Sequence, residues 1–286
     1  MALSRRALLT PLAALPGAAC SPVALLNATA PSNGVLTTAD LAYAPGPRHG
    51  VDVYAPVGAQ RAPVLVFFYG GGWRSGDRAI YRFLGATLAA AGVVCMVPDY
   101  RLWPEVRSPG FVEDAAQAVA WARAQAATHG GDPAQLFLMG HSAGAQIAAL
   151  LALNPAFLGA VGLDPGRDLR GMIGLAGPYD FLPLRSARLR AIFGPEASWP
   201  ESQPINYASA AAPPMLLATG DADSTVLPAN TEQLTARLRA AGAAVESVVY
   251  PGIGHVPIIG AFAGPLGFVA PVRQDVLRFI AARRVG

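Results

Sequence analysis

The segment with the clearest chemical meaning is Gly140-His-Ser-Ala-Gly144, a serine with a glycine two positions away on each side. The apolar run Leu136–Met139 precedes it, and Ala143–Leu153, a run suited to a helix, follows. A sharp strand–turn–helix segment exposes a serine hydroxyl above a sheet, and the glycines leave room for strand and helix to approach closely. The helix N-terminus also favours negative charge beside the serine. We therefore interpret Ser142 as a nucleophile.

A second candidate segment is the triple-glycine run Tyr69-Gly-Gly-Gly-Trp73, directly after the apolar run Val64–Phe68. Glycine lets a backbone pass close to a ligand and turn its amides inward. A serine that attacks a carbonyl creates an oxyanion, and each amide aimed at that oxygen lowers the barrier by roughly 3–4 kcal/mol. We expect the amides of Gly71, Gly72 and Ala143 to form this oxyanion hole.

A nucleophilic serine needs a base, and the chain has four histidines from which to choose. His49 lies in the early strand region, His129 at a helix end and His141 beside the serine, where we expect it to pack locally and project away from Ser142. His255 remains, just after the last apolar strand run, and elimination makes it the candidate base.

The acid that orients the base has two candidates, Asp221 and Asp223, in the turn after the apolar run Met215–Thr219. Both lie between Ser142 and His255, as the chain order serine, acid, histidine requires. Position alone leaves the choice between them open.

Seven runs together resemble the bacterial esterase/lipase branch of the α/β-hydrolases, which carries a His-Gly-Gly-Gly-Trp loop and is related to hormone-sensitive-lipase and arylformamidase types. They are Tyr69-Gly-Gly-Gly-Trp-Arg-Ser-Gly-Asp77, Pro98-Asp-Tyr-Arg-Leu102, Gly130-Gly-Asp-Pro133, Gly140-His-Ser-Ala-Gly144, Gly177-Pro-Tyr-Asp180, Gly220-Asp-Ala-Asp223 and Gly252-Ile-Gly-His255. The resemblance covers nearly all of residues 50–280. It implies a serine hydrolase with no metal and no organic cofactor.

The resemblance also distinguishes the two aspartates. The family places its acid three residues after a glycine and three before a valine, which selects Asp223; Asp221 then becomes a turn residue that bonds nearby amides. One position departs from the family, because Tyr69 stands where histidine is usual. The glycine amides remain, so we expect the oxyanion hole to survive this change.

The elements that position these residues are predicted from apolar runs that alternate with helix-length segments, a pattern typical of a mainly parallel α/β sheet covered by helices on both faces. We expect one α/β-hydrolase domain over residues 31–286. Residues 178–214 show no clear strand and are interpreted as a small lid or pocket-forming excursion. Trp73, Tyr179 and Phe181, with Leu182, are candidates to line the substrate pocket.

The expected substrate is a small carboxylic ester with a short acyl chain, cleaved through an acyl-enzyme. An amidase, for example an arylformamidase, remains an alternative because the same triad serves it. A hydrolase-fold protein that binds without turnover is the other alternative. Net charge is +3 without any basic run, which gives no indication of nucleic-acid binding.

Residues 1–30 are predicted to be an export leader. The pair Arg5 and Arg6 precedes an apolar stretch too short to span a bilayer and resembles a twin-arginine signal. Two processing sites are open: before Cys20, which would then carry lipid and anchor the protein to a membrane, or after Ala30. The expected location is therefore periplasmic or membrane-anchored, with a cytoplasmic enzyme as the alternative. Cys20 and Cys95 have no spacing suited to a metal, and no disulfide is expected.

Overall fold

The apolar runs form one eight-stranded sheet in the computed structural model, which describes residues 22–284. The strands are β1 (Val35–Ala42), β2 (Gly50–Pro56), β3 (Ala62–Phe68), β4 (Val94–Pro98), β5 (Gly131–His141), β6 (Leu169–Leu175), β7 (Met215–Gly220) and β8 (Val245–Tyr250). Their order across the sheet is β1-β2-β4-β3-β5-β6-β7-β8. β2 pairs antiparallel with β1 and β4, and every pair from β4 to β8 is parallel.

Helices connect the parallel strands and cover both faces of the sheet. In chain order, those of the described part are α1 (Pro22–Ala28), α2 (Arg82–Ala90), α3 (Gly110–Gln125), α4 (Ala143–Leu153), α5 (Pro155–Gly159), α6 (Pro165–Asp168), α7 (Ala187–Phe193), α8 (Ala229–Ala240), α9 (His255–Gly260) and α10 (Val272–Ala281). Short 3₁₀ helices occupy Arg78–Tyr81, Ala127–His129, Glu196–Ser202, Pro204–Tyr207 and Gly264–Leu266. The expected mainly parallel α/β architecture is confirmed.

The segment that carries Ser142 lies at the buried centre of the sheet. All seven residues of β3 are buried, as expected for a strand covered on both faces. All eleven residues of α4 are buried too, including its polar Gln146, whose amide bonds Trp73 and the carbonyl of Ser202. β5 lies between β3 and β6, so the turn that follows it sits at the middle of the sheet.

The strand and helix predictions differ from the structure mainly at element ends. The sequence pattern predicts a helix from Arg78 to Ala91, stopped by Gly92, and the structure divides this segment into a 3₁₀ turn (Arg78–Tyr81) and α2. The predicted strand Leu136–Met139 is extended to Gly131–His141. Residues 178–214 contain no strand, as expected, but they do contain α7 and two 3₁₀ helices.

The N-terminal part of the predicted leader lies outside the described residues, and this includes Arg5, Arg6 and Cys20. Residues 22–30, which were also assigned to the leader, are described and pack against the domain. The Asn27 amide donates to the carbonyl of Ala79 (2.8 Å) and accepts from the amide of Phe83 (3.0 Å). Among the described residues, no helix is long and apolar enough to cross a membrane.

Candidate active site

Ser142 occupies the turn between β5 and α4, with a φ of 56° and a ψ of −124°. A positive φ is strained for a residue other than glycine and persists where the surroundings enforce it. The amide of Ser142 donates to the carbonyl of Leu175 on the neighbouring strand (2.9 Å). A Cβ at Gly140 would lie 2.1 Å from the carbonyl oxygen of Gly144, and one at Gly144 would lie 2.0 Å from that of Phe68. Larger residues at either glycine would therefore force the turn apart.

Three segments distant in sequence bring a serine, a histidine and an aspartate into one chain of hydrogen bonds. His255 Nε2 lies 2.8 Å from Ser142 Oγ, and His255 Nδ1 lies 2.7 Å from Asp223 Oδ2. The other oxygen of Asp223 accepts from the amides of Thr225 (2.8 Å) and Val226 (2.9 Å), which restrains the orientation of the carboxylate.

Of the two candidate aspartates, Asp223 is the one that contacts the histidine. Its side chain is fully buried, whereas Asp221 is exposed. Asp221 Oδ1 accepts from the amide of Gly252 (2.6 Å) and so ties the turn after β7 to the turn after β8. This is the local bonding role that the sequence indicated for it.

The glycine loop after β3 lies against the nucleophile turn. A Cβ at Gly70 would lie 2.9 Å from the Cβ of Ser142, and one at Gly71 would collide with the carbonyl of Ser75. Gly71 (φ 129°) and Gly72 (φ 59°) both have positive φ, the region that glycine adopts without strain. Within residues 22–284, the amides of Gly71, Gly72 and Ala143 have no hydrogen-bond acceptor, so all three remain free to bind a ligand oxygen.

Tyr69 supports this loop by a network that sequence reasoning missed. Its hydroxyl donates to Asp99 Oδ1 (2.7 Å) and accepts from Arg48 Nη2 (2.9 Å). Its ring stacks between those of Tyr81 and Tyr100, with centroids 5.7 and 4.8 Å away. Burial, the Tyr100 hydroxyl and the charge of Asp99 raise the pKa of Tyr69, so its phenol remains neutral. The Pro98-Asp-Tyr-Arg-Leu102 run, conspicuous in the sequence, was the available signal for this support.

A cavity of about 1040 Å³ opens above Ser142 and His255. Trp73 and Phe181, two of the predicted pocket residues, line it, and their rings stack with centroids 5.8 Å apart. Trp73 is fixed by a hydrogen bond from its Nε1 to Gln146 Oε1 (3.1 Å). The 178–214 excursion also contributes Pro178, Asp180, Leu182, Pro183, Arg185, Ser186 and Leu189. The loop after Asp223 contributes Val226 and Leu227, and α9 contributes Val256.

Tyr179 does not line the cavity, so its prediction as a pocket residue was wrong. Its side chain is completely buried, and a Cβ at Gly174, in the middle of β6, would lie 2.0 Å from its hydroxyl. The residue therefore packs under the excursion, against the sheet. Adjacent positions in an irregular loop face different directions, which the sequence does not reveal.

The other three histidines lie outside the chain of hydrogen bonds that joins Ser142, His255 and Asp223. His49 Nε2 lies 3.3 Å from Asp114 Oδ1, and His129 ends the 3₁₀ turn before β5. His141 packs locally, as expected, but against His255: their ring centroids are 4.9 Å apart. In the described part of the chain, no group of three His, Cys, Asp or Glu side chains is placed to hold a metal ion.

Comparison with known proteins gives a family match and several esterase relatives. Residues 51–238 match the model of the BD-FAE family. The isoprenylcysteine alpha-carbonyl methylesterase ICME of Arabidopsis thaliana is 30% identical over 240 residues, which are 76% of this chain and 56% of the relative. Esterase LipQ of Mycobacterium tuberculosis (strain ATCC 25618 / H37Rv) is 31% identical over 277 residues, 87% of this chain and 64% of the relative. The chain thus spans between 56% and 64% of the length of these two curated relatives.

Solved esterase structures share the fold over most of the chain. Esterase 2 of Thermogutta terrifontis superposes with a TM-score of 0.68 at 28% identity, covering 86% of this chain and 92% of that one. The carboxylesterase EstE1, cloned from a metagenomic library, superposes with a TM-score of 0.75 at 19% identity, covering 91% and 94% of the two chains.

Proposed function

The chain belongs to the BD-FAE family, among the esterases of the α/β-hydrolase fold, and from this premise we propose that it is a serine carboxylesterase acting on a small ester. One observation carries the proposal. The imidazole of His255 lies within hydrogen-bonding distance of both Ser142 Oγ and Asp223 Oδ2, at the floor of a cavity bordered by free amides.

In the first half of the reaction, His255 Nε2 takes the proton from Ser142 as Oγ attacks the ester carbonyl carbon. The carbonyl oxygen becomes an oxyanion, which the amides of Gly71, Gly72 and Ala143 receive. Asp223 Oδ2 accepts a hydrogen bond from Nδ1–H of His255 and stabilises the imidazolium. When the tetrahedral intermediate collapses, the carbon–oxygen bond to the alcohol breaks, and the alcohol leaves with the proton from His255.

In the second half, a water molecule replaces the alcohol. His255 Nε2 takes a proton from the water, whose oxygen attacks the acyl carbon, and the same amides hold the second oxyanion. Collapse releases the carboxylic acid and returns the proton to Ser142 Oγ. Every proton is thus moved by residues of this chain.

The cavity supports an ester with an apolar group beside the carbonyl. Its walls include Phe181, Leu182, Val226 and Leu227. Burial of one methylene against such walls is worth roughly 0.8 kcal/mol, or up to about fourfold in kcat/KM. On a series of p-nitrophenyl esters we expect kcat/KM to rise from acetate to butyrate and then to fall for chains that outgrow the cavity.

The proposal is tested by Ser142→Ala, with Ser209→Ala as a matched control at an exposed serine in the loop before β7. Wild type and the control should hydrolyse p-nitrophenyl acetate and react covalently with a fluorophosphonate probe. Ser142→Ala should do neither while unfolding at the wild-type temperature. Retention of turnover by Ser142→Ala would refute the assignment of the nucleophile.

An aryl formamide in the same series separates ester from amide chemistry. A higher kcat/KM on the formamide than on every ester, lost in Ser142→Ala, would make the protein an amidase. Absence of probe labelling and of turnover in wild type would instead indicate a hydrolase-fold binding protein.

A further inference from the structure

His141, next to the nucleophile in sequence, is bonded to the residue that carries the base. Its Nε2 lies 2.9 Å from the backbone carbonyl oxygen of His255, 114 positions away in the chain. A carbonyl oxygen only accepts hydrogen bonds, so Nε2 of His141 carries a hydrogen and donates it. This fixes the ring as the tautomer whose Nδ1 is unprotonated.

The surroundings of His141 keep that tautomer neutral. Only 5% of the residue is exposed, and within residues 22–284 its buried Nδ1 has no hydrogen-bond partner. A second proton on the ring would therefore place an unpaired donor, and a charge, at a buried position beside His255. Burial first, and then the nearby charge of His255, lower the pKa of His141 to about 4.

The turn that carries His255 is held from two sides. On the side of the acid, the amide of Gly252 donates to Asp221, and the amide of Ala222 donates to the carbonyl of Ile253 (3.1 Å). On the side of the nucleophile, two bonds join residue 255 to the 141–142 turn: one through its ring to Ser142 Oγ and one through its carbonyl from His141.

These last two bonds behave differently during turnover. The ring bond is lost when Ser142 Oγ is acylated, because that oxygen then carries no hydrogen. The bond from His141 involves neither the reacting oxygen nor the transferred proton and persists throughout. α9 adds little restraint of its own, since it has six residues and no side-chain cap at Gly254.

We propose that His141 is a positioning residue, which holds the backbone of His255 so that its imidazole stays in reach of Ser142 during acylation and of water during deacylation. This inference rests on the proposed esterase function and adds a role that the nucleophile motif does not itself imply. The residue acts only through His255 and contacts no reacting atom.

Two polar replacements of His141 separate positioning from packing. Glutamine places an amide N–H near the position of Nε2 and can still donate to the carbonyl of His255. Asparagine places its polar atoms near the position of Nδ1 and falls short. We expect His141→Asn to lower kcat by roughly tenfold or more, because small misplacements of a catalytic group are costly, with KM changed less than about twofold. His141→Gln should keep kcat within about threefold of wild type.

Three further measurements distinguish this role from a general loss of stability. The low-field NMR signal of the proton between His255 Nδ1 and Asp223 should be retained in the glutamine variant and broadened in the asparagine variant. The acid limb of the pH profile of kcat should shift only in the asparagine variant. His129→Gln, at the opposite end of β5, serves as the matched control and should leave all readouts unchanged.

Equal kcat values for the two His141 variants would overturn the proposal. The proposal would also be overturned if His141→Asn and His141→Leu failed to fold while His141→Gln folded. The bond from residue 141 to the carbonyl of His255 would then serve stability alone. Failure of the esterase proposal itself is distinct, since it appears as turnover retained in Ser142→Ala or absent from wild type.

Discussion

At the scale of single residues, Tyr69 shows how a departure from a family pattern is accommodated. Its phenol reaches Asp99, so the loop that follows is anchored by a neutral donor to a buried carboxylate. Asp99 also accepts from Arg78, which in turn binds Asp52 (2.9 Å) and Asp40. The position therefore requires a side chain that donates a hydrogen bond, and tyrosine meets this requirement.

Tyr69→Phe is expected to lower both kcat and stability. Removal of the hydroxyl leaves Asp99 with one donor fewer, which costs about 1–3 kcal/mol for a buried group. The loop then loses its anchor, and kcat should fall by roughly tenfold, less than the 10²–10³ that follows loss of one oxyanion donor. Tyr43→Phe is the control, because its hydroxyl bonds the backbone carbonyl of Asp99 and not the loop; it should lose stability alone. An unchanged kcat in Tyr69→Phe would show that the loop needs no such anchor.

The buried His141 makes stability depend on pH. In the unfolded chain its pKa is near the ordinary 6.5, whereas in the folded protein it is about 4. As pH falls from about 6.5 to about 4, His141 binds a proton in the unfolded state but not in the folded state, so the free energy of unfolding decreases. Above pH 6.5 the imidazole is neutral in both states and the effect vanishes. The difference amounts to on the order of 3 kcal/mol below pH 4.

Urea unfolding of wild type and His141→Gln at pH 7 and pH 4.5 measures this effect. All other titrating groups are shared, so wild type should lose more free energy of unfolding than the variant, by on the order of 2–3 kcal/mol. Equal losses would mean that His141 takes up its proton normally in the folded state.

At the scale of elements, the nucleophile turn depends on two glycines that permit backbone contact. Gly144→Ala should destabilise the protein by about 3 kcal/mol or more and abolish turnover, because its Cβ would lie 2.0 Å from the carbonyl oxygen of Phe68. Gly159→Ala, at the end of α5 with no atom within 4 Å of the added carbon, is the matched control and should cost nothing. Thermal unfolding with the ester assay tests both, and a folded, active Gly144→Ala would contradict this geometry.

The sequence predicts an element well where the residues of that element determine its structure, and poorly where contacts with other parts of the chain do. α4 has the predicted bounds, because a glycine-flanked turn and the apolar run that follows it mark this helix without help from the rest of the chain. The short α7 and α9 were not predicted, since helices of six or seven residues depend on tertiary contacts for stability.

The same distinction applies to the site. Ser142 and His255 were predicted from motif and chain order, and Asp223 from a pattern shared with a family; the structure brings the three side chains within hydrogen-bonding distance. The orientation of Tyr179 and the bond from His141 to His255 were not predictable, because each is set by how loops from different strands meet. Sequence spacing carries no information on such contacts.

At the scale of the whole molecule, strand order brings the distant segments together. The glycine loop, the nucleophile, the acid and the base follow β3, β5, β7 and β8, and these strands are parallel. Their carboxyl ends therefore meet at one edge of the sheet, where open α/β sheets place their ligands. The meeting of the glycine loop with Ser142, Asp223 and His255 is thus a consequence of topology rather than of any one segment.

Asn27 ties α1, the first described element, to the rest of the domain. Its side chain bonds both Ala79 and Phe83, at the junction between the 3₁₀ turn and α2, and that turn borders the cavity through Ile80 and Tyr81. Asn27→Ala should cost about 1–2 kcal/mol in the free energy of unfolding, because two backbone groups lose their partner. Asn33→Ala, at an exposed position with no side-chain bond in the described chain, is the control and should change little.

The contacts of Asn27 bear on the two processing sites of the predicted leader. Cleavage after Ala30 removes Asn27, whereas cleavage before Cys20 retains it, so we expect an exported form of the protein to begin at Cys20. A chain that begins at Pro31 should unfold at a lower temperature than one that begins at Ser21 and should be less active, because Ile80 and Tyr81 lose their support. The N-terminal residue of the processed protein, determined by mass spectrometry, tests the expectation directly. A mature protein that begins at Pro31 with full thermal stability would show that the contacts of Asn27 are dispensable.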